Sequence, residues 1–86
     1  SAIAIEDRDP MFFMRRGMLY GKTRQNHPAV ADMDRAVALS PANGELLYFR
    51  GIVKYHAGMD PCADFRQALQ HGYRQAQDAL ARACGH

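Results

Sequence analysis

The sequence repeats itself at an offset of 34 residues. Phe13 falls on Leu47, Arg16-Gly17 on Arg50-Gly51, Met18 on Ile52 and Leu19 on Val53. In the other direction Ala36-Val37-Ala38-Leu39 falls on Ala2-Ile3-Ala4-Ile5. The second halves align once two residues are removed from the second turn region, setting Ala31-Asp32-Met33-Asp34-Arg35-Ala36 against Ala63-Asp64-Phe65-Arg66-Gln67-Ala68. This many matches in register make the chain a tandem of one supersecondary unit. A unit of that size cannot bury its apolar face alone, so copies must stack.

The periodicity within the unit is helical. Pro10 sits where a helix can begin, with Asp9 as N-cap. Met11, Phe13, Met14, Met18, Leu19 and Tyr20 then give a pattern with apolar residues on two faces, as expected of a helix packed on both sides. Gly21 is expected to end it, and Lys22–His27 to form a polar turn. Asn26 or His27 caps a second helix, with Pro28 in its first turn. Ala29, Val30, Met33, Ala36, Val37 and Leu39 recur along it at three- and four-residue steps until Ser40-Pro41 stops it.

Asn43-Gly44 opens a third helix through Leu46, Leu47, Phe49, Ile52, Val53 and Tyr55, ending near Gly58. Asp60-Pro61 opens a fourth, carrying Ala63, Phe65, Ala68 and Leu69, and Gly72 terminates it as a left-handed C′ residue. A fifth, from Tyr73 to about Cys84, presents Ala76, Ala79, Leu80 and Ala83 on one face. β-branched residues are few and never alternate, so the expected class is all-α. Alanine is the commonest residue and tryptophan is absent, which suits closely packed helices.

Gly17 and Gly51 fall mid-helix, where glycine costs about 1 kcal/mol relative to alanine. Such a cost is expected where another helix approaches closely, with Ala29, Ala36, Ala63 and Ala68 as the facing small residues. Phe13, Tyr20, Met33 and Phe65 are the bulky counterparts.

These residues carry a family resemblance. The period, Phe13-x-x-Arg16-Gly17-x-x-Tyr20, Ala29-x-x-x-Met33-x-x-Ala36 and Pro41 together resemble the tetratricopeptide repeat. Phe13 stands for tryptophan, Met33 for phenylalanine and Arg16 for leucine, the last tolerable if its stem packs and its head reaches water. The second copy is weaker, with Lys54 where Tyr20 stood and Tyr55 as the expected compensation. The resemblance implies a right-handed superhelix of antiparallel helix pairs in one domain. Residues 1–9 would be the tail of a preceding helix, 10–43 and 44–72 two repeats, and 73–86 a capping helix. Arrays of this kind generally want about three copies. The severed look of the first segment therefore suggests a piece of a longer array, or a protomer completed by self-association.

The resemblance also implies a function. First helices of such repeats line a concave groove for a peptide or partner helix, which puts Met14, Met18 and Lys22, then Tyr48, Ile52 and Tyr55, on the groove side. Methionine adapts to varied partners, and tyrosine joins apolar area to a polar tip. Met14 and Met18 have an alternative, packing against an adjacent repeat. The places of the clamp that binds acidic chaperone tails fall on Met14 and Met18, so that function is not expected. A non-catalytic protein-binding scaffold is the expectation, with homo-oligomerisation through the same face as the alternative.

The remaining chemistry is sparse. His27, His56, His71 and His86 are scattered with no nucleophile setting, and no phosphate-loop, dinucleotide or metalloprotease motif occurs, so neither catalysis, metal nor cofactor is expected. Asp32 with Asp34, and Glu6 with Asp7, are expected to be solvated acids. A net charge of +2 is too small to argue for nucleic acid or an anionic membrane, although Arg15, Arg16, Lys22 and Arg24 form a local basic cluster. No apolar run approaches the roughly 18 residues of a membrane span. Cys62 and Cys84 lack metal or CxxC spacing; as buried small hydrophobes they need no further role, which weakly favours a reducing, cytoplasmic compartment.

Overall fold

A computed structural model of the chain describes residues 8–85. It contains five helices and, among the described residues, no strand: α1 (Pro10–Lys22), α2 (Asn26–Leu39), α3 (Gly44–His56), α4 (Cys62–Gln70) and α5 (Gln75–Cys84). The all-α expectation holds. Residues 2–7 of the expected preceding helix lie outside the described residues, while Arg8 is in a turn and Asp9 is extended.

Local chemistry sets most helix ends. The Asp9 carboxylate accepts from the Met11 N–H at 2.9 Å, and the Asn43 side chain accepts from Glu45 and Leu46. Asp60 accepts from the Cys62 N–H at 2.9 Å, so α4 begins one residue after Pro61. Neither Asn26 nor His27 caps α2; the helix starts at Asn26, and Gln25 before it makes no side-chain cap. Nor does Gly21 end α1. The helix runs through Lys22 and closes on Arg24, whose φ of 63° is left-handed. The Gln25 N–H donates to the Tyr20 carbonyl at 2.8 Å and the Arg24 N–H to the Gly21 carbonyl, a Schellman pair. Gly58 and Gly72 close α3 and α4 with the same two bonds.

Consecutive helices pack on one another, and α1 also touches α3. The direction of packing is visible in α3 and α4. Gly44 lies against the Ala68 carbonyl near the end of α4, whereas Gly51 lies against Phe65 near its start, so the two run in opposite directions. The Cα trace extends 46 × 27 × 14 Å. The shortest extent matches about two helix layers, an interaxial distance of roughly 10 Å plus two backbone radii.

The two mid-helix glycines are sites of close approach. A Cβ on Gly17 would stand 3.1 Å from the Ala29 carbonyl and from the Met33 sulfur; one on Gly51 would stand 2.5 Å from the Phe65 ring. Phe13, Met33 and Phe65 fill the core as expected, with Leu46, Leu47, Ala36 and Ala68, whereas Tyr20 is half-buried at its side. Ala63 is exposed and faces no glycine; the Phe65 ring takes the place beside Gly51.

Four other expectations change. Asp32 is buried and accepts from the Arg16 Nε and Nη2 at 2.7 and 2.9 Å, so it is no solvated acid; Asp34 is exposed and pairs with Arg50 at 3.3 Å. The Arg16 guanidinium also lies 5.0 Å from the Phe12 ring centroid, so its head is engaged as well as its stem. Tyr55 is exposed and does not replace Tyr20; Lys54 at the matching position pairs with Asp64 at 3.3 Å. Finally, Cys62 and Cys84 form a disulfide, with Cα atoms 6.0 Å apart, that ties the start of α4 to the end of α5. Paired cysteines belong to oxidising environments, so the cysteine argument for a reducing compartment falls.

Candidate functional site

The side chains that α1 and α3 turn away from the core border two adjoining hollows. A hollow of about 660 Å³ lies between α3 and α5, walled by Tyr48, Ile52 and Tyr55 on one side and Asp78, Ala79 and Arg82 on the other. A second, of about 550 Å³, lies between the end of α1 and α3, with Met18, Phe49, Ile52 and Val53 as apolar surface and Lys22, Arg24, Asn26 and His56 around it. Phe49 and Ile52 belong to both, so the two hollows share an apolar divide on α3.

The expected groove residues divide accordingly. Met18, Lys22 and Ile52 border the smaller hollow, and Tyr48, Ile52 and Tyr55 the larger. Met14 borders neither. It is half-buried and packs against both parts of the core, the one around Phe13 and the one around Ala29 and Met33. Two turns of helix separate Met14 from Lys22, and only the later part of α1 reaches the hollow.

Tyr48 is tightly held. Its ring centroid lies 5.1 Å from Tyr73, 5.2 Å from Phe49 and 5.8 Å from Phe65. Such a cluster gives the larger hollow a rigid aromatic wall. Burial, together with the negative charge of Glu45 and the neighbouring Tyr48, raises the Tyr73 phenol above its ordinary value. Tyr55, by contrast, is 56% exposed and stands at the edge.

Behind the hollows, charge is spent on holding helices together. Arg50 donates to Asp64 through Nε and Nη2, and to Asp34 through Nη1. The hydrogen bond to Asp64 raises the guanidinium above its already high value, burial opposing, so Arg50 stays charged at any attainable pH. No buried side-chain nitrogen or oxygen among the described residues lacks a partner.

Sequence reasoning overlooked Phe49 and Arg24 as bordering residues, and Asp64 as the partner of Arg50. The signal for the last was present, since Arg16 with Asp32 aligns on Arg50 with Asp64. Arg24 also had one, because it aligns on Gly58. Phe49 had none beyond its place on an apolar helix.

Among the described residues no group of three His, Cys, Asp or Glu side chains is placed to hold a metal ion. His27, His56 and His71 are each exposed and on separate elements, and His86 lies outside the described residues. No described helix is long and apolar enough to cross a membrane. No protein-family model matches the sequence, and neither a curated protein nor a solved structure shows significant similarity to it.

Proposed function

We propose that the chain is a tetratricopeptide-like array, a right-handed superhelix of antiparallel helix pairs, that serves as a non-catalytic scaffold for a protein segment. The observation that carries this reading is the pair of open hollows on either side of Phe49 and Ile52. Together they offer an apolar floor with polar edges, the surface an amphipathic helix or extended peptide can cover. The rigid Tyr48–Tyr73 cluster supports it, because a preformed wall lowers the cost of ordering on binding.

Self-association is the competing reading. Leu19, Leu39, Tyr55 and Met59 are large apolar residues left between 46% and 61% exposed, and Tyr55 adjoins the larger hollow. Sedimentation from micromolar to near-millimolar concentration separates the two, combined with binding of selected peptides to the intact chain. The scaffold reading expects a monomer whose peptide binding is lost in Met18→Asp and Tyr55→Asp. A dilution-resistant dimer that Tyr55→Asp dissociates sinks it. Tyr48 is unsuitable for this test, since its ring is part of the packing.

A further inference from the structure

The smaller hollow differs from the larger in charge. Lys22, Arg24 and His56 stand around its apolar surface, and among the described residues no acidic side chain borders it. Lys22 and Arg24 are exposed and form no ion pair among the described residues. The acids among the described residues are placed elsewhere. Asp32, Asp34 and Asp64 pair with arginine, and Asp9 and Asp60 cap helices. Asp78 borders the other hollow, and Glu45 lies in the first turn of α3, at the opposite end of that helix from His56. Among the described residues, therefore, no acid offsets the positive charge at this hollow.

Arg24 supplies an independent sign. It occupies a left-handed position, φ 63°, at the C′ end of α1. The matching residue of the next unit, closing α3 with the same two hydrogen bonds, is Gly58 at φ 78°. Glycine takes this conformation without steric cost, and arginine does not. Strained backbone kept where a simpler residue would serve tends to mark a functional position, and here the strained residue borders the hollow.

We infer that the smaller hollow takes an acidic protein segment anchored by an apolar side chain. The apolar group seats against Met18, Phe49 and Ile52, and a neighbouring carboxylate meets Lys22 and Arg24. Met18, Phe49 and Ile52 supply contact area; the two cations supply selection against basic segments and faster encounter. The cations stand at the end of α1 and in the turn that follows it, not at the Met14 and Met18 positions where the family resemblance would have put a clamp. The inference rests on the scaffold reading above and names its partner's chemistry.

The test is selection of a random displayed peptide library on the intact chain, followed by fluorescence anisotropy with the enriched peptides. Enriched sequences are expected to carry Asp or Glu beside Leu, Ile, Met or Phe, with affinity falling as salt rises. Lys22→Met and Arg24→Gly are each expected to weaken binding several-fold, and by about tenfold together. Arg24→Gly should at the same time raise the thermal midpoint, because glycine suits the left-handed turn. A merely structural arginine would not weaken binding while its removal stabilises the fold. Peptides without an acidic excess, or binding indifferent to both substitutions, overturn the charge inference; if Met18→Asp still abolishes that binding, the hollow itself stands. Enrichment of no peptide, or of peptides that ignore both Met18→Asp and the milder Met18→Gln, overturns the hollow and the inference together.

Discussion

Arg50 donates to both oxygens of Asp64, at 3.0 and 2.7 Å, and the same two-pronged bond joins Arg16 to Asp32 one unit earlier. Each pair joins the first helix of a hairpin to the second, beside the glycine that lets them approach. The pairs differ in exposure. The Arg50 side chain is 19% exposed and Asp64 3%, whereas Arg16 is 40% exposed. Removing Asp64 leaves the largely covered Arg50 with only the exposed Asp34 at 3.3 Å, whereas the more exposed Arg16 is less costly to deprive of Asp32. Asp64→Ala should therefore cost about 3 kcal/mol and Asp32→Ala clearly less, about 1–2 kcal/mol. Urea denaturation of the two variants checks this, and equal losses would refute the role given to burial.

The two glycine contacts also make unequal predictions. At Gly51 a methyl group would press on the ring of Phe65, which is 1% exposed and has nowhere to move. At Gly17 it would meet the Met33 sulfur, which can shift, and the Ala29 carbonyl at 3.1 Å. Alanine gains about 1 kcal/mol of helix propensity at either place, against an overpacking cost of about 1–3 kcal/mol. Gly51→Ala is expected to destabilise by roughly 1–2 kcal/mol, and Gly17→Ala to lie near neutral. Thermal unfolding of both decides it.

The Cys62–Cys84 bond closes a loop with a sequence separation of 22. Constraining the unfolded chain over such a length stabilises by about 3 kcal/mol in the chain-entropy account. A dithiol reductant, or the Cys62→Ser/Cys84→Ser variant, should lower the unfolding midpoint accordingly. Amides of α5 should lose hydrogen-exchange protection first, because that helix packs mainly on α4 and the bond ties it there. Native mass spectrometry after alkylation without reduction should show no label, and a doubly labelled native protein would rule the bond out.

Alkaline pH should act through Tyr73. Burial first, then Glu45, raises its folded phenol above the ordinary value. The unfolded chain then loses its proton earlier than the folded one, so stability is complete below about pH 10 and falls as pH rises through the folded value. Arg50, raised still further from neutrality, contributes nothing to that loss. Absorbance titration of phenolate should show a late component that is lost in Tyr73→Phe, and the variant should unfold less readily with rising pH. An alkaline transition unchanged by Tyr73→Phe would assign it elsewhere.

Helix positions, the Asp9 and Asn43 caps and the left-handed Gly72 were legible in the sequence. Each depends on residues within four or five places of one another, and local spacing records such interactions directly. The likeness of Arg16-Gly17 to Arg50-Gly51 was legible too, and in the fold both arginines make the same two-pronged bond to an aspartate of the next helix. Even the close approach at Gly17 and Gly51 could be read, because a mid-helix glycine has a known cost and needs a neighbour to justify it.

What only the tertiary structure decided depended on which side chains meet across helices. Solvation of Asp32 and isolation of Cys62 from Cys84 were reasonable expectations along the chain, and both failed. An acid's burial and a thiol's partner are set by elements 16 and 22 residues away. The split between Met14 and Met18 has the same origin. Both have the same side chain on the same helix, one turn apart, yet Met14 packs between parts of the core while Met18 borders a hollow. Periodicity places a residue on a face; only the neighbouring helix decides whether that face is covered.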